Sequence, residues 1–174
     1  MKKTLGFLTL SLALASTDKV QARTCELYPI ALSAQTVSNL APNAVVDIYN
    51  GAQPGNFGWL AWGGSPSEPT LVASLTPGNS ATYVNPDDPR DRHVSVGDWI
   101  SSNPGVSNSK KVRGALDALK SRDITVPVWD QARGVGEHAA YRAAAFARVR
   151  ILSYELAGRN RITARFLSYA PCGV

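Results

Sequence analysis

Residues 139–169 read AAYRAAAFARVRILSYELAGRNRITARFLSY, and the interpretation of this stretch decides the fold. Three consecutive alanines and several arginines favour a helix by intrinsic propensity. The β-branched and aromatic residues favour a strand instead. Residues that would share one face of that strand are Phe146, Arg148, Arg150 and Leu152. A turn at residues 157–160 follows, and residues 161–169 alternate charged with apolar side chains, so two runs joined by a tight turn favour a long C-terminal hairpin.

The clearest helix signal lies upstream of this stretch. Its apolar residues recur at the spacing i, i+3, i+4 and i+7, which forms one stripe on a helix. The stripe consists of Val112, Ala115, Leu116 and Leu119. The sequence therefore predicts one principal amphipathic helix over about residues 109–121, with Ser107 or Asn108 as its N-cap. A second, short helix is predicted at residues 69–75, with Ser67 as its cap.

Three further segments have strand character. Residues 45–49 are β-branched and aromatic. Residues 94–100 predict a short strand that is bulged near Gly97. Residues 124–129 predict another strand, which Pro127 would place at a sheet edge or a bulge. Together with the hairpin, these elements predict an α+β fold that is mainly antiparallel sheet.

The loop between residues 51 and 69 contains the motif GNFGWL. Its residues are Gly55, Asn56, Phe57, Gly58, Trp59 and Leu60. We expect the two glycines to let the backbone turn. We also expect the aromatic side chains of this loop, including Trp62, to plug the edge of the core.

The N-terminus has the organisation of an export signal. Lys2 and Lys3 precede an eleven-residue apolar run, and a small-residue site ends at Ala22. Residues 13–15 offer a second cleavage site. Because eleven residues are too few to span a bilayer, we expect residues 1–22 to be a signal peptide and residues 23–174 to form one domain without a membrane span. The predicted localisation is therefore periplasmic or extracellular.

The chain has only two cysteines, Cys25 and Cys172, which lie at opposite ends of this domain. In an oxidising compartment such a pair is most simply a disulfide. Free or intermolecular thiols are the alternative. A zinc site is not expected, because no histidine lies near either cysteine.

Charge is distributed unevenly along the chain. Residues 23–109 hold three arginines and seven acidic residues, a balance of −4, whereas residues 110–174 hold 12 basic and five acidic residues, a balance of +7. Such a split can pair the two halves of one fold or guide an acidic partner. Nucleic acid is not an expected partner, because the arginines are not interleaved with an aromatic platform.

One polar cluster has the residue types of a calcium site. Four oxygen-donor side chains lie within seven residues, and such groups supply part of a calcium shell. They are Asn85, Asp87, Asp88 and Asp91. The spacing does not match an EF-hand, and Arg90 and Arg92 interrupt the cluster. A solvated loop in which these arginines neutralise the acidic residues is the alternative.

Catalytic motifs are absent from the sequence. His93 and His138 are isolated in polar segments, and neither a Gly-x-Ser-x-Gly nor a His-Glu-x-x-His pattern occurs. Two aspartates each lie beside a tryptophan, as the pairs Asp98–Trp99 and Trp129–Asp130. Turn capping or pairing with arginine is expected for them rather than acid–base chemistry. We therefore predict no catalytic residues and a non-enzymatic function.

The order of these motifs resembles the periplasmic region of TadE/TadG-like proteins, which take part in assembling Tad/Flp pili in bacteria. The matching segments are Cys25 with residues 28–32, then residues 55–60, 96–100, 104–105, 112–119, 124–130, 145–147 and 162–166. The resemblance implies the hairpin rather than the helix for residues 140–156. It also implies a stand-alone secreted copy of the C-terminal module of that family.

Three functional hypotheses follow. The first is a structural or interaction module of the cell envelope, with envelope or pilus proteins as partners. The second is a secreted carbohydrate- or ligand-binding module that uses exposed tryptophans. The third is a secreted hydrolase, which would require His93 or His138 to lie within hydrogen-bond reach of a carboxylate or hydroxyl in a pocket.

Overall fold

A computed structural model describes residues 25–47, 58–63, 66–76, 80–103, 108–157 and 160–172. Within these residues, seven strands form one mixed sheet, and three α-helices and a 3₁₀ turn accompany it. The strands are β1 (Leu32–Ser33), β2 (Val45–Asp47), β3 (Leu60–Ala61), β4 (Trp99–Ser102), β5 (Asp123–Arg133), β6 (Ala140–Glu155) and β7 (Arg161–Tyr169). The helices are α1 (Ala34–Val37), α2 (Glu68–Leu75) and α3 (Lys110–Leu119), and the 3₁₀ turn is Gly136–His138. The predicted α+β class is confirmed.

The long C-terminal hairpin is confirmed as β6 and β7, and β6 is the central strand of the sheet. Along one edge it pairs with β5. Its other edge is shared, because β4 pairs with its N-terminal part and β7 with its C-terminal part. In the connection between the two strands, Asn160 adopts a left-handed conformation (φ 54°), which asparagine tolerates better than most residues.

The strands around the N-terminal half of β6 form a closed ring. Pairing runs from β1 through β5, β6 and β4 to β3. The ring closes where Ile30 bridges Trp59, and the Ala31 N–H donates to the Gly58 carbonyl at 2.8 Å. Closure removes open strand edges, which are sites of unwanted pairing. Gly58 and Trp59 of the GNFGWL motif therefore join the β3 end of the sheet to the segment that precedes β1.

Two apolar clusters fill the fold, one on each side of β6. Helices α2 and α3 cover the first, whose members include Leu71, Leu75, Leu116, Val149, Ile151 and Ala164. The second lies inside the ring and includes Leu60, Trp62, Ile100, Tyr141 and Phe146. The side chains of Val112, Ala115, Leu116 and Leu119 are buried, so the predicted stripe of α3 is confirmed. Burying one such large apolar side chain contributes about 1.5–3 kcal/mol.

The structure corrects the N-terminal boundary and the cap of α3. The Ser109 side chain accepts a hydrogen bond from the Val112 N–H at 3.1 Å, so Ser109 is the N-cap. Ser107 lies outside the described residues. The side chain of Asn108 instead accepts a hydrogen bond from Arg113. Helix α2 follows the prediction more closely, because the Ser67 hydroxyl accepts from the Thr70 N–H at 3.3 Å.

Two predicted strands differ in position. The strand predicted at residues 94–100 begins only at Trp99, because the Asp98 carboxylate accepts from the Ser95 N–H at 2.6 Å and forms a turn. The second strand is longer than predicted, and its Pro127 lies between β1 and β6 rather than at an outer edge. A register shift directly follows it at Val128 and Trp129, as the bulge alternative predicts.

The two cysteines form the predicted disulfide. Cys25 and Cys172 are bonded, and their Cα atoms lie 5.5 Å apart. The bridge ties the segment that enters β1 to the segment that leaves β7. Both half-cystines pack against the apolar cluster inside the ring. The signal peptide predicted at residues 1–22 lies outside the described residues.

Candidate functional site

The polar residues singled out in the sequence meet at the end of the sheet where β4 begins. Asn85 is buried, and its side-chain amide donates to the Asp91 carboxylate at 3.0 Å and to the Asp98 carboxylate at 3.3 Å. The Tyr83 hydroxyl donates to the Trp99 carbonyl at 2.8 Å. One buried amide therefore holds two carboxylates side by side and fixes residues 80–98 against β4.

The two carboxylates differ in their proton affinity. The hydrogen bond from Asn85 lowers the pKa of the Asp91 carboxyl. Burial raises the pKa of the Asp98 carboxyl, against the lowering by the Ser95 N–H, and the nearby Asp91 charge raises it further. The Asn85 amide therefore stabilises the charged form of Asp91, whereas burial and the neighbouring Asp91 charge disfavour the charged form of Asp98.

Two arginines that the sequence analysis missed complete this end of the sheet. Arg133 forms an ion pair with Asp87, and its guanidinium carbon lies 4.2 Å from the centre of the Trp99 ring. Arg142 is the register partner of Trp99 and forms a two-bonded ion pair with Asp130, which lowers the pKa of that carboxyl. Pairing with arginine, as expected for Asp130, is thus observed.

Calcium ligation gains no support from the described residues. Asp87 pairs with Arg133, Asp88 with Arg90, and Asp91 with Asn85. No group of three or more His, Cys, Asp or Glu side chains is placed to hold a metal ion in the described ranges. Of the two arginines in the alternative interpretation, Arg90 pairs with Asp88, whereas Asp87 is neutralised by Arg133 of β5.

None of the four tryptophans is exposed. Trp59 and Trp62 are buried in the core, as predicted for the GNFGWL loop. Trp99 is half-buried and covered by Arg133 on one face, and the half-buried Trp129 ring lies 5.1 Å from that of Tyr141. A sugar platform needs an open aromatic face, so the ring positions favour a structural role. Gly55, Asn56 and Phe57 lie outside the described residues.

The histidines lie on exposed segments without catalytic partners. The side chain of His138 is 85% exposed, and its Nε2 atom lies 3.7 Å from Glu137, beyond hydrogen-bond range. His93 is exposed and contributes only its backbone N–H, which donates to Asp91. Nothing in this geometry favours the hydrolase hypothesis.

A second surface was not anticipated as a site. On the side of the sheet opposite helix α3, the C-terminal half of β6 and its neighbouring strands are covered by no described element. We call this surface the open arginine face. It comprises Val45 and Asp47 of β2, Asp123 and Thr125 of β5, Arg148, Arg150 and Leu152 of β6, and Thr163 and Arg165 of β7, all of which are exposed or half-buried.

The arginines of this face outnumber the carboxylates that serve them. Arg148 donates to Asp123 at 3.2 Å, and the Arg150 Nε donates to the other oxygen of the same carboxylate at 2.7 Å. The remaining carboxylate, Asp47, accepts from Thr163 and lies 3.7 Å from Arg161. Among the described residues, Arg165 therefore has no ion-pair partner.

The position of Arg165 adds electrostatic repulsion to its lack of an ion-pair partner among the described residues. In the register of the hairpin it lies directly opposite Arg150. Like charges opposite each other on neighbouring strands destabilise a sheet. Sequence reasoning had placed Arg148 and Arg150 on one strand face with Leu152, but the pairing with Arg165 depends on the register.

The comparisons with known proteins identify no relative. The chain matches no protein-family model, no curated protein and no solved structure. No helix among the described residues is long and apolar enough to cross a membrane.

Proposed function

We propose that this chain is an exported, non-enzymatic interaction module of the bacterial cell envelope. The open arginine face carries the proposal: no described element covers this half of the sheet, and its described residues carry an excess of positive charge. Antiparallel sheets commonly leave one face to solvent, so the proposal depends on the charges: two arginines lie opposite each other across two strands, and an acidic partner would neutralise them.

The charge of the face selects the kind of partner. A symmetric contact with a second copy would bring two copies of the same positively charged face together, and like charges repel across an interface. An acidic protein surface instead supplies the missing counter-charges. The exposed apolar residues Val45 and Leu152 add contact area on either side of the arginines.

Export and the pilus connection have separate support. The disulfide between Cys25 and Cys172 is of the kind that persists outside the cytosol. The N-terminal apolar run favours export, and the resemblance to TadE/TadG-like proteins favours pilin or secretion components as partners.

The test is affinity capture of a tagged copy from gently cross-linked cells, with envelope and medium fractions kept separate. One variant removes the charges of the open arginine face by the substitutions Arg148→Gln, Arg150→Gln and Arg165→Gln. A matched control removes three exposed charges elsewhere, by Arg92→Gln, Lys110→Gln and Lys111→Gln.

The wild type and the control are expected to recover pilin or secretion components from the envelope fraction, and the open-face variant is expected to lose them. Equal recovery by both variants would show that the face does not bind the partner. Wild-type protein found alone in the medium would contradict the envelope role.

A further inference from the structure

We propose that Arg150 and Arg165 form a receptor for a carboxylate group of the acidic partner, with Asp123 as a resident counterion that limits its affinity. This inference rests on the proposed function and specifies the contact that the open arginine face makes. The partner group is an aspartate or glutamate side chain, or a short run of them, with apolar neighbours.

The register places the two guanidinium groups on one side of the sheet. Arg150 and Arg165 are direct cross-strand partners, and Cβ atoms of such pairs lie about 4.5–5.5 Å apart. Each guanidinium presents a fork of N–H donors, whereas a carboxylate accepts at two oxygens with about four lone-pair sites. One carboxylate can therefore accept from both arginines, in the strong charge-assisted geometry.

The free protein leaves this receptor only partly occupied. Asp123 accepts from Arg148 and Arg150 through different oxygens, so one negative charge serves two arginines. Arg165 lies beyond the reach of that carboxylate. In the register of the sheet, Asp123 of β5, Arg150 of β6 and Arg165 of β7 lie side by side, and Arg148 shares the Asp123 carboxylate. Natural sequences place like charges opposite each other on neighbouring strands mainly where function requires it.

The apolar neighbours favour a protein carboxylate over a small free anion. Val45 is the register partner of Arg165 and is 58% exposed, and Leu152 is 38% exposed on β6. These side chains gain burial only when a partner with its own apolar surface covers them. The resulting exclusion of water strengthens the ion pairs at the centre.

The experiment measures binding of dye-labelled poly-L-glutamate to the exported chain with its disulfide intact, by fluorescence anisotropy at low salt. Arg165→Gln is expected to weaken binding by roughly threefold or more, because a charge-assisted pair is lost. Arg92→Gln is the matched control: it removes the same charge from an exposed arginine of the polar loop and is expected to leave binding unchanged. A thermal melt of each variant verifies folding.

Two further variants separate the receptor from general positive charge. Asp123→Asn removes the resident counterion and is expected to tighten binding about two- to threefold. Arg165→Lys keeps the charge but loses the planar fork, so binding is expected to fall between that of the wild type and Arg165→Gln.

Three results would overturn the inference. Equal losses from Arg165→Gln and Arg92→Gln would show that only net charge matters. Weaker binding by Asp123→Asn would show that Asp123 supports the site instead of competing for it. Tighter, Arg165-dependent binding of dextran sulfate than of poly-L-glutamate would identify an anionic polysaccharide as the ligand class.

Failure of this inference is distinguishable from failure of the proposed function. If cellular capture depends on the open arginine face while poly-L-glutamate binding ignores Arg165 and Asp123, the interaction role stands and the carboxylate receptor is wrong. If both substitutions act on poly-L-glutamate as expected and the wild type is found alone in the medium, the carboxylate receptor stands and the envelope role is wrong.

Discussion

The two halves of strand β6 differ in how far their side chains are covered. Around residues 140–147 the strand has covered side chains on both faces, with the ring interior on one side. Around residues 148–155 the face toward α3 is covered, whereas no described element covers the other face, where Arg148 is exposed and Arg150 is half-buried. The same alternation of side chains therefore builds a closed core at one end and an open face at the other.

The charges follow the same division. At the closed end, Asp87 and Asp130 each have an arginine of their own. At the open end, one carboxylate, Asp123, serves two arginines, and Arg165 has none among the described residues. Satisfied pairs fix a structure, whereas an unsatisfied row retains binding capacity for a partner. We therefore propose that the closed end stabilises the fold and that the open end binds the partner.

The largest expected effect concerns the disulfide of the closed end. Replacing both cysteines, by Cys25→Ser and Cys172→Ser, removes a crosslink with a sequence separation of 147. In the chain-entropy treatment a loop of this size contributes about 4–5 kcal/mol, so the free energy of unfolding should fall by that order in urea titrations. Hydrogen exchange should show early loss of protection at residues 27–32 before the hairpin. A change below about 1 kcal/mol would show that the ring holds the terminal segments without the crosslink.

A pair of alanine substitutions compares the two ends directly. Phe146→Ala removes a buried side chain from the ring interior and should lower the free energy of unfolding by about 3–5 kcal/mol. Leu152→Ala removes an exposed side chain six residues further along the same strand and should cost less than about 1 kcal/mol. Urea unfolding of both variants measures the difference. Similar losses would mean that the open end is also packed.

Several features of this division were predictable from local patterns. The stripe from Val112 to Leu119 predicted α3, because helical spacing alone defines which side chains are buried. The alternation around Arg148 and Arg150 predicted a strand face, and the lone cysteine pair predicted the disulfide. The helix and the strand face follow from the spacing of neighbouring residues, and the disulfide follows from the presence of only two cysteines in the sequence.

The features that were not predictable depend on pairing between distant segments. Strands β1 and β3 have two residues each, so no periodicity marks them, and they form only because the ring closes at Ile30 and Trp59. Likewise, Arg150 meets Arg165 because of register shifts in the hairpin near Ile151 and Arg148. A one-residue slip would move these side chains to other partners, and no local signal fixes the register.

A charge reversal at the open end should stabilise the fold while removing recognition. Arg165→Glu replaces a like-charged cross-strand pair with an opposite-charged one, opposite Arg150. We expect a gain of about 0.2–1 kcal/mol, or a rise in Tm of about 1–3 °C, measured by thermal denaturation. The gain should shrink in 1 M NaCl, where the Debye length is about 3 Å. A lower Tm would show that Arg165 already has a stabilising environment.

The smallest expected effect is a pH dependence at the closed end, where the fold disfavours the charged form of Asp98. Burial raises its pKa in the folded state. The contribution of Asp98 to the free energy of unfolding is therefore full below its pKa in the unfolded state, which is about 4. This contribution is lost as the pH rises through the pKa of Asp98 in the folded state. Asp98→Asn remains neutral, so its stability relative to the wild type should increase between about pH 4 and pH 7.

The change should be of the order of a few tenths of a kcal/mol, because the group is only partly buried and screened by solvent. The substitution also alters the hydrogen bonds from Ser95 and Asn85, and this effect is the same at every pH. The test is therefore how the difference in free energy of unfolding between the variant and the wild type changes with pH. Urea midpoints at four or five pH values measure that change. A flat or falling difference would mean that the ionised Asp98 is held as favourably as the paired Asp130, and that the closed end contains no electrostatic strain.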